Sequence, residues 1–559
     1  MGRWLVTSAW PYVQHMIHLG NLIGSLLSAD VFARYLRLRG EEVLYVTGSD
    51  QHGTPIEVEA LKMRIPPEKL AMKNHEKLVE VLKRFRISTD NYTYTHNPVH
   101  IEFVKAFYRK LYDNGYIFER EEEVLYCEKD KIFLPDRFVI GTCPYCGYEY
   151  AKGDQCENCK ALLSPRELKN AKCVICGEKP IVKRTTHWYF DLPKFSEKLS
   201  KFIKSSKTLT ENAKKFSLQM IETGLSPRSV TRDNTWGIPA PFPGAEGKVI
   251  YVWMEAVLGY ISAVIEYFQK KGDEESWKKY WLDKETKIMF FIGKDNIPFH
   301  TIIFPALLMA TGEDYDLNFY VAATEFLMFE GKKFSKSRRI GIWLDEALEI
   351  LPADYWRFAL MMIRPEVGDT NFTWDFLEKT VNEDLNNQLG NLVNRVLALI
   401  ERYFKGEIPQ PKQMGRMEIS LLNETIKTKR EVEKFFEEFR LQRALVSIMN
   451  LVRKCNVFLN IQEPWRKAKR DDIRNTLYAI AFTLKAIAIM LLPFIPDTGE
   501  KMLRYLGLNP EEITWDSIET DFPEKTMIIK DFKPLFKKIN AERLKRKLEK
   551  IRGEKLVKS

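Results

Sequence analysis

The first fifty residues follow the pattern of a strand, a long helix and a second strand, and this order constrains the fold more than any other part of the chain. Residues 3–9 and 42–47 are short apolar runs, and a helical pattern lies between them. Strands joined through a helix are parallel and lie in one sheet. The pattern predicts an α/β fold with a Rossmann-like, doubly wound parallel sheet, whose ligands bind at the carboxyl ends of the strands.

Residues 19–38 have the periodicity of a helix with one buried face. The apolar positions recur every three or four residues, at Leu19, Leu22, Ile23, Leu26, Leu27, Phe32, Tyr35 and Leu36. Gly40 follows two arginines and is a typical stop signal. Ligand-binding residues are therefore expected in the turns after the two strands, at residues 18–21 and 48–54.

With 559 residues, the chain is too long for a single hydrophobic core, since cores stop growing at about 250–300 residues. Strand patterns return at 248–253, 288–292 and 318–323, and residues 380–507 are almost entirely helical in period. We predict a sheet domain in two halves, 1–115 and 233–324, separated by a cysteine-rich insertion. The remaining regions are the insertion at 116–232, a loop and linker domain at 325–379, an α-helical bundle at 380–515 and a basic C-terminal extension at 516–559.

Six of the eight cysteines form three C-x-x-C pairs, at Cys143/Cys146, Cys156/Cys159 and Cys173/Cys176. This spacing is typical of zinc knuckles, and the first two pairs supply four thiolates for one closed tetrahedral zinc site. Disulfides are the alternative. They are typical of exported proteins, whereas the N-terminal segment has no secretory cleavage site. Cys455 is alone in a helical stretch and is expected to be a small buried side chain.

The net charge of +10 is concentrated near the C-terminus, because residues 531–559 hold eleven Lys or Arg against four Asp or Glu. A basic segment suits a polyanionic partner, although such runs are more often plain solvated faces. The most apolar stretch, residues 477–495, contains Lys485 and Pro493, whereas a membrane-spanning helix needs about 20 nearly uncharged residues. We expect a buried bundle helix there, no membrane association and a cytoplasmic location.

Two short strings have the chemistry of phosphate binding. In His18-Leu19-Gly20-Asn21, an imidazole lies at a strand-to-helix turn, where the amides and dipole of a helix N-terminus favour anions. In Lys333-Phe334-Ser335-Lys336-Ser337, two lysines lie on a loop that follows Gly331. Each string alone has an ordinary explanation, as a capping histidine or as a solvated loop.

Together, in this order, the two strings resemble the HIGH and KMSKS signatures of class I aminoacyl-tRNA synthetases. Five further strings are similar to those of the methionyl-tRNA synthetase family: Ala9-Trp10-Pro11-Tyr12, Asp50-Gln51-His52-Gly53-Thr54-Pro55, Tyr251-Val252-Trp253, Phe291-Ile292-Gly293-Lys294-Asp295 and Gly390-Asn391-Leu392-Val393-Asn394-Arg395. The resemblance weakens only after about residue 516. It implies a ligase that activates L-methionine with ATP and transfers it to the terminal adenosine of tRNA(Met), including the initiator tRNA.

The resemblance also implies roles in the activation step. The catalytic set is His18, Asn21, Lys333 and Lys336, and the ATP-binding set adds Gly20, Gly293, Lys294, Asp295 and Ser335. Mg²⁺ would accompany ATP. Because the substrate carboxylate attacks the α-phosphate in line, catalysis would rest on positioning and on charge stabilisation, without a protein nucleophile.

The methionine side chain would lie among aromatic and apolar residues. The implied set is Ala9, Trp10, Tyr12, Asp50, Trp253, Val257, Tyr260, Ile297 and His300. Contacts between a thioether and ring edges are worth about 0.3–1.5 kcal/mol each, and Asp50 would hold the ammonium group. Without the neighbouring strings, core packing would explain each aromatic residue.

In the helical region, the resemblance implies that Asn391, Arg395 and Trp465 read the CAU anticodon. Asn391 and Arg395 are four residues apart on one helix face, and Trp465 offers a plane on which an unpaired base can stack. Capping and ion pairing within the bundle are the alternative. The barrel through which longer family members dimerise is missing from this sequence, so we expect a monomer, alone or with a separate tRNA-binding subunit.

A second zinc site is expected at Cys127, Asp130, Cys173 and Cys176, since Cys127 and Asp130 repeat the spacing of the cysteine pairs. Archaeal relatives resemble this arrangement with four cysteines, and Asp130 is the departure here. A carboxylate oxygen is an acceptable but weaker zinc ligand than a thiolate. A solvated Asp130 beside a metal-free cysteine pair is the alternative.

Three other departures from the family pattern concern the catalytic region. Asn21 replaces the last histidine of the first signature, as in the archaeal and eukaryotic branches. Phe334 replaces a methionine of the second signature, and Val257 stands where bacterial enzymes have proline.

Two other functions compete with this interpretation. The first is a related class I enzyme for leucine, isoleucine or valine, but those enzymes carry a large editing insertion, whereas the insertion here is short and cysteine-rich. The second is a tRNA-binding or zinc-dependent chaperone protein without ligase activity. Intact His18, Asp295, Lys333 and Lys336 argue against the second.

Overall fold

The computed structural model describes residues 2–134, 138–153, 156, 158–159, 161, 163–336, 338–466 and 470–558. A five-stranded parallel sheet is made of β1 (Arg3–Ser8), β2 (Glu42–Ser49), β3 (Asn91–Tyr94), β4 (Thr286–Gly293) and β5 (Phe319–Thr324). The strand order is β5-β4-β1-β2-β3, so the winding direction reverses between β1 and β4. The predicted doubly wound parallel sheet is confirmed.

The central strand β1 is apolar because both faces of the sheet are covered. Leu5 and Val6 point to opposite faces and are both fully buried, as expected for a parallel sheet between two layers of helices. The sequence interpretation missed β3. Its residues, Asn-Tyr-Thr-Tyr, contain no apolar run, so no periodicity marks the strand.

The helix after β1 has three parts: an α-helical turn at Leu19–Asn21, a π-helical turn at Leu22–Leu26 and an α-helix at Leu27–Leu38. Together they cover the predicted helix at 19–38. Single π turns are frequent at functional sites. Here the π turn directly follows the first signature string, and it rotates that string relative to the longer helix that packs on the sheet.

Only the first part of the strand predicted at 248–253 is observed. Val249–Ile250 pairs antiparallel with Thr231–Arg232 in a separate two-stranded sheet, and the chain then forms the helix Val252–Ala256. A short apolar run fits a buried strand and a buried helix equally well. The helix forms because the Tyr251 carbonyl accepts from the Met254 N–H at 2.8 Å and closes its first turn.

The cysteine-rich insertion is built on a long antiparallel ribbon of Ile117–Cys127 and Ile181–Phe190. The short strands of the insertion are Ile132–Phe133, Val139–Thr142, Ala151–Lys152, Lys169–Cys173 and Arg228–Ser229. Three of them form a small sheet in the order Ala151–Lys152, Val139–Thr142 and Lys169–Cys173. This small sheet has its own buried cluster, which includes Cys127, Cys143, Cys156 and Cys173.

Helices cover the main sheet on both sides. In the first 311 residues they are Thr54–Met63, Pro67–Arg84, Pro98–Asp113, Ser196–Ser205, Glu211–Thr223, Gly259–Gln269, Lys278–Trp281, the π-helical Phe299–Ile303 and Phe304–Thr311. After β5, a parallel pair of short strands, Leu327–Phe329 and Thr370–Phe372, flanks the helices Leu344–Ile350 and Ala353–Met362.

The C-terminal third is largely helical. The helical bundle predicted at 380–515 is confirmed, and the helix Ala541–Lys558 in the basic extension was not predicted. The helices of this third are Trp374–Lys379, the π-helical Thr380–Gly390, Asn391–Phe404, Arg416–Glu437, Leu441–Gln462, Arg470–Leu491, Pro496–Tyr505 and Ala541–Lys558. By length and composition, the spans Leu441–Arg466 and Ile473–Leu491 are apolar enough to cross a membrane, but 50% and 89% of their apolar windows are buried inside the molecule. Burial within the bundle accounts for the apolar character of both helices.

The bundle is attached to the sheet domain through the buried side chain of Arg357. Its guanidinium donates to the Asp30 carboxylate at 2.7 Å and to the carbonyl oxygens of Phe85, Pro493 and Phe494 at 3.1, 2.9 and 2.7 Å. Because Asp30 lies on the helix that follows the first signature, this network joins that helix directly to the bundle. Breaking it would leave a charge buried without a partner, which is strongly destabilising.

The basic segment after residue 516 folds back onto the molecule. Phe536, Leu544 and Leu548 are buried in the same apolar cluster as the bundle. We call the helix Ala541–Lys558 the C-terminal helix.

Candidate active site, metal centres and nucleic-acid interface

A cavity of about 400 Å³ opens at the carboxyl ends of β1, β2, β4 and β5, the position where ligands of a doubly wound sheet bind. Its wall contains Ala9, Trp10, Tyr12, His18, Gly20, Asn21, Asp50, Trp253, Val257, Tyr260, Gly293, Asp295, His300 and Lys333. Four other residues predicted for this site lie outside the wall: Lys294, Ile297, Ser335 and Lys336. Residues from six separate strings of the sequence therefore meet in one cavity.

His18 and Asn21 bond to each other at the start of their helix. The His18 ring Nδ1 accepts from the Asn21 backbone N–H, and the Asn21 side-chain oxygen accepts from the His18 N–H, both at 3.2 Å. Burial lowers the pKa of His18 to about 4, so the ring is neutral at neutral pH and carries its hydrogen on Nε2. The His18 Nε2–H and the Asn21 amide NH₂ are left as neutral donors at a helix N-terminus, which suits an anionic group.

The lysine loop packs on His18 through Phe334. The two rings are stacked, with centroids 4.3 Å apart and an interplanar angle of 11°. On its other side, Phe334 lies against Gly341, where a Cβ atom would come within 2.3 Å of the ring and where φ is +126°. Only glycine fits this position, so Gly341 is needed for the stack.

The loop returns as a strand-like segment that pairs with the first signature. Ser335 and Ile340 exchange two backbone hydrogen bonds at 2.9 and 2.8 Å, which makes the loop a narrow hairpin. Further on, Leu19 N–H donates to Ile342 O at 3.1 Å, and Leu344 N–H donates to Ile17 O at 3.0 Å. The two signatures, more than three hundred residues apart, thus share one backbone framework.

The two lysines of the loop differ in position. Lys333 is part of the cavity wall. Lys336 is outside it, near Glu59, Asp345 and Glu346, and desolvation lowers its pKa. Ser337, the last residue of the predicted string, lies outside the described residues.

Lys294 and Asp295 follow β4 and face different surroundings. The Lys294 ammonium forms ion pairs with Glu325 at 2.6 Å and Asp369 at 2.8 Å. Asp295 lines the cavity, and desolvation raises the pKa of its carboxyl group above the usual value. Asp295 is therefore placed to accept from a ligand hydroxyl, while Lys294 holds the segment that follows β5.

Aromatic side chains line the deep part of the cavity. Trp10 occupies a slot left by two glycines, since a Cβ atom at Gly48 or Gly259 would come within 2.8 Å of its ring. Tyr12 and Trp253 pack at 6.2 Å between ring centroids. The sequence interpretation had quoted the aromatic residues but missed the two glycines that make room for Trp10.

Tyr260 and His300 form a fixed hydrogen-bonded pair beneath these rings. Burial lowers the pKa of His300 to about 4, so its imidazole is neutral at neutral pH. His300 Nδ1 lies 2.9 Å from the Asn296 carbonyl oxygen and must donate to it. His300 Nε2 is therefore an acceptor for the Tyr260 hydroxyl at 2.7 Å. The pair leaves no unsatisfied donor, so this part of the wall suits an apolar side chain.

Asp50 is the acidic residue of the set predicted to bind methionine, and it is only 4% exposed. Burial and the neighbouring carboxylate of Glu255 raise the pKa of Asp50 well above its usual 3.8. In the described part of the chain, Asp50 forms no ion pair with Lys or Arg. A ligand cation in the cavity would supply the missing positive charge.

Glu255 and three histidines form a buried network next to Asp50, and the sequence interpretation missed it. His52 Nδ1 is 2.6 Å from Glu255 Oε1, His52 Nε2 is 2.8 Å from His96 Nδ1, and His100 Nε2 is 3.5 Å from Glu255 Oε2. Burial lowers the pKa of His52 to about 3. The only signal in the sequence was proximity to two of the family-like strings. His52 lies inside the string at residues 50–55, and Glu255 follows the string at residues 251–253 by two residues.

The cysteines of the insertion form two separate clusters. In the first, Cys143, Cys146, Cys156 and Cys159 bring their sulfurs together, with Cys143–Cys159 at 3.8 Å and Cys146–Cys156 at 3.6 Å. Sulfurs at about 2.3 Å around a tetrahedral zinc lie roughly 3.8 Å apart. The first cluster has the ligand type and spacing of a structural zinc site.

The second cluster joins Cys127, Asp130, Cys173 and Cys176. Asp130 Oδ2 is 3.1 Å from Cys127 Sγ and 3.2 Å from Cys173 Sγ, and the sulfurs of Cys127 and Cys176 are 3.4 Å apart. The four predicted ligand atoms therefore lie close to one another, although they come from two separate segments, 127–130 and 173–176. This donor set is also compatible with zinc.

On the bundle surface, Arg395 and Trp465 are in contact. The Arg395 guanidinium lies 5.0 Å from the centroid of the Trp465 ring and donates to the Asn460 side chain at 2.9 Å. Asn391 is exposed one turn earlier on the same helix, and Trp465 is 38% exposed. Exposed aromatic, guanidinium and amide groups on one surface are suited to an unstacked base, and Asn460 is a member that the sequence interpretation missed.

Two family models match the chain. The model described as tRNA synthetases class I (M) matches residues 4–397, and the anticodon-binding domain of tRNA ligase matches residues 418–559. Among solved structures, Mycobacterium tuberculosis methionyl-tRNA synthetase bound by methionyl-adenylate has a TM-score of 0.80 at 22% identity and covers 96% of this chain and 100% of its own. That likeness shows a shared fold.

Curated relatives are similar over nearly their full length. A methionine–tRNA ligase from Thermofilum pendens is 53% identical, with 98% of this chain and 97% of the relative covered. One from Korarchaeum cryptofilum is 52% identical, with 98% of each chain covered. This chain belongs to the methionyl branch of the class I aminoacyl-tRNA synthetases, the methionine–tRNA ligases.

Proposed function

We propose that the cavity binds L-methionine and ATP, forms methionyl-adenylate and pyrophosphate, and then transfers methionine to the 3′-terminal adenosine of tRNA(Met), initiator tRNA included. The observation that carries this proposal is Asp50, a buried carboxylate at the edge of an aromatic pocket that forms no ion pair with Lys or Arg among the residues described by the structure. Methionine has the matching groups, an ammonium ion and an apolar thioether.

The proposed methionine site is selective because its polar and apolar parts are separate. Trp10, Tyr12, Trp253 and the Tyr260–His300 pair would surround the thioether with ring edges, with Ala9 and Val257 completing the apolar side. The buried Ile297 lies outside the wall and would act only by packing behind it. Asp50 would bind the ammonium group. Beside the Tyr260–His300 pair, whose hydroxyl hydrogen and ring nitrogens already have partners, a polar side chain would leave its own donor or acceptor unpaired, at a cost of about 1–3 kcal/mol.

The proposed ATP site lies at the helix N-terminus. His18 and Asn21 would donate to the α-phosphate, Gly20 and Gly293 would allow close approach of the nucleotide, and Asp295 would accept from a ribose hydroxyl. Lys333 lies at the wall already, whereas Lys336, with Ser335, would reach the pyrophosphate only after the loop closes. Mg²⁺ would bind with the phosphates of ATP.

Zinc is proposed for both cysteine clusters, where it would hold the tip of the insertion together. The first site would use Cys143, Cys146, Cys156 and Cys159, and the second Cys127, Asp130, Cys173 and Cys176. Closed four-ligand sites of this type are structural. Zinc would take no part in the reaction itself.

The proposed anticodon site is the surface of Asn391, Arg395 and Trp465, which would read CAU. The proposed division of the chain follows from these sites: a catalytic sheet domain at 1–115 and 233–324, a zinc insertion at 116–232, the lysine loop and linker at 325–379, the anticodon-binding bundle at 380–515 and the basic segment at 516–559. We propose that the protein acts in the cytoplasm as a monomer, alone or with a separate tRNA-binding subunit.

The test of this proposal is aminoacylation of total tRNA with each of the twenty amino acids, together with amino-acid-dependent exchange of pyrophosphate into ATP. Methionine alone should support both reactions, and only tRNA(Met) should be charged. Exchange with another amino acid at a higher rate would contradict the assigned pocket. Binding of tRNA without exchange would indicate a protein that has lost ligase activity.

A further inference from the structure

The C-terminal helix has two faces of opposite character. Ala541, Leu544 and Leu548 are buried against the body of the molecule. The opposite face carries four exposed cations at the spacing of one helical stripe, Arg543, Arg546, Lys550 and, at the border with the body of the molecule, Lys547, whose ammonium donates to the Ile350 carbonyl oxygen at 3.4 Å. We call these four residues the basic stripe.

The charges of the basic stripe are largely uncompensated. Lys550 pairs with Glu554 at 3.8 Å. Within the described part of the chain, Arg543, Arg546 and Lys547 form no ion pair with a carboxylate. Cations held side by side on a helix repel one another, so the arrangement favours a polyanion that binds across the stripe.

The helix is fixed at its N-terminal end to the start of the bundle. The Ala541 N–H donates to the Glu378 carboxylate at 2.6 Å. Just before it, Ile539 and the Asn382 side chain exchange two hydrogen bonds at 2.8 Å. Glu378 and Asn382 lie about three and about two turns before Asn391 in the same helical run.

The other end of the helix is fixed beside the catalytic loop by Arg552. Its guanidinium binds both carboxylate oxygens of Glu346, at 3.0 and 2.7 Å, and donates to the Gly341 carbonyl at 2.7 Å. It also lies 5.2 Å from the centroid of the Trp343 ring. Bidentate pairs of this kind are strong and directional, so the stripe is held at a defined place between the bundle and the lysine loop.

We propose that the basic stripe binds the phosphate backbone of the substrate tRNA in the region between its anticodon and its acceptor end. The inference rests on the proposed function. One end of the helix is bonded to the helical run that carries Asn391 and the other end to the segment beside the lysine loop, so a tRNA bound at both proposed sites would have the stripe within reach. Lys and Arg bind phosphates without regard to base sequence. The stripe therefore adds affinity for tRNA and leaves anticodon selection to the bundle surface.

The test uses the full chain with the stripe neutralised, R543Q/R546Q/K547Q/K550Q. At about 150 mM salt, kcat/KM for tRNA should fall about tenfold or more, mainly through KM. The plot of log affinity against log salt concentration should become less steep by about three to four, since each of the four lost phosphate contacts removes roughly 0.7–0.9 units. Pyrophosphate exchange with methionine and ATP should stay within about twofold of the wild type, because it needs no tRNA.

A matched control removes the same number of positive charges from the side of the main sheet where the strands begin, opposite the side where the cavity opens. K278Q/K279Q/K284Q/K287Q changes four exposed lysines near the amino end of β4 and should leave tRNA kinetics unchanged. Equal losses in the two variants would mean that only the overall charge matters, and would overturn the proposal. A wild-type KM and salt slope in the stripe variant would overturn it too.

Two further measurements separate the remaining outcomes. If the fourfold variant loses exchange activity, the test is repeated with the single variant R546Q, which changes one exposed residue. Its slope of log affinity against log salt concentration should become less steep by about one unit. An unchanged slope would contradict the proposal. If tRNA kinetics are normal but binding to phosphatidylserine vesicles is lost, the stripe is a membrane surface and the proposal is wrong. Methionine charging by the wild type tests the proposed function separately.

Discussion

His18 and Phe334 stack face to face, with ring centroids 4.3 Å apart, and this contact joins the two signature strings of the active site. The ring that replaces a methionine of the family pattern is thus in direct contact with the histidine that would donate to the α-phosphate. The orientation of His18 depends on two things, its bond with Asn21 and this stack.

The first prediction concerns Phe334→Ala, which removes the stack but keeps every charge of the loop. Aromatic pairs of this type contribute about 0.5–1.5 kcal/mol, so adenylate formation should slow by about 2–13-fold, with little change in methionine affinity. Pre-steady-state pyrophosphate exchange measures this. Phe334→Met is the control and should retain most of the rate; equal rates in the alanine variant and the wild type would mean that the stack does not position His18.

The second prediction concerns the charge of Lys336. Lys336→Ala should lower the rate of adenylate formation by about 10²–10³-fold, because a charge that acts on the leaving pyrophosphate matters mainly in the transition state. Methionine affinity, measured by tryptophan fluorescence, should be nearly unchanged. Lys332→Ala on the same loop is the control and should have little effect. A proportionate loss in methionine binding would contradict the assigned role.

The third prediction follows from the raised pKa of Asp50. Because its pKa is raised, the Asp50 carboxyl group of the free protein holds its proton to a higher pH than an ordinary aspartate, and the ammonium ion of methionine favours release of that proton. Methionine affinity should therefore rise with pH, and the rise should extend above the range in which an ordinary aspartate, with a pKa of 3.8, ionises. Calorimetry in buffers of different ionisation enthalpy should detect proton release on binding.

Asp50→Asn is the matched variant for this pH dependence. It should bind methionine weakly and without proton release linked to position 50. An affinity that is flat with pH in the wild type, between pH 4 and neutrality, would mean that Asp50 is already ionised or does not contact the ammonium group.

The fourth prediction separates the anticodon surface from the cavity. Trp465→Ala should raise KM for tRNA by about 5–150-fold, since stacking of a base on an aromatic ring is worth about 1–3 kcal/mol. Exchange of pyrophosphate without tRNA should not change. Tyr145→Ala, at an exposed aromatic residue of the insertion, should leave KM for tRNA as in the wild type. Loss of exchange in the Trp465 variant would instead identify Trp465 as a folding residue.

The fifth prediction concerns metal content. Chelator-washed wild-type protein should contain about two zinc ions per chain, and Cys173→Ser and Cys143→Ser should each contain about one. The second site should lose zinc at a lower chelator concentration, because one of its ligands is the Asp130 carboxylate. Elemental analysis during titration with a chelator measures both. One zinc in the wild type that is unaffected by Cys173→Ser would exclude the second site.

What could be predicted from the sequence depended on whether the signal was local. β1, β2 and the helix between them could be predicted because apolar spacing is a property of neighbouring residues. Both cysteine clusters follow from two-residue spacings in the same way. β3 escaped because its four residues are polar or aromatic and gain their place from β2, to which they are paired.

Contacts between distant segments could not be predicted. His52 and Glu255 are 203 residues apart, and nothing near either residue indicates that the other lies 2.6 Å away. Lys336 lies outside the cavity wall because of the conformation of the lysine-loop hairpin. The sequence shows that a lysine is present but does not show where its side chain lies. The slot for Trp10 is formed by Gly48 and Gly259, which are more than two hundred residues apart, so the sequence could not indicate that they meet.

The two neighbours of β1 in the sheet are synthesised at very different times. Val6 pairs with Tyr45 on one side and with Met289 on the other. At about 5–20 residues per second, a ribosome needs roughly 12–50 s to travel from the first partner to the second. For that interval one edge of an apolar strand has no partner, and such edges are sites of aggregation. Slowing translation should therefore lower the yield of native protein, and a chaperone that shields nascent chains should restore it.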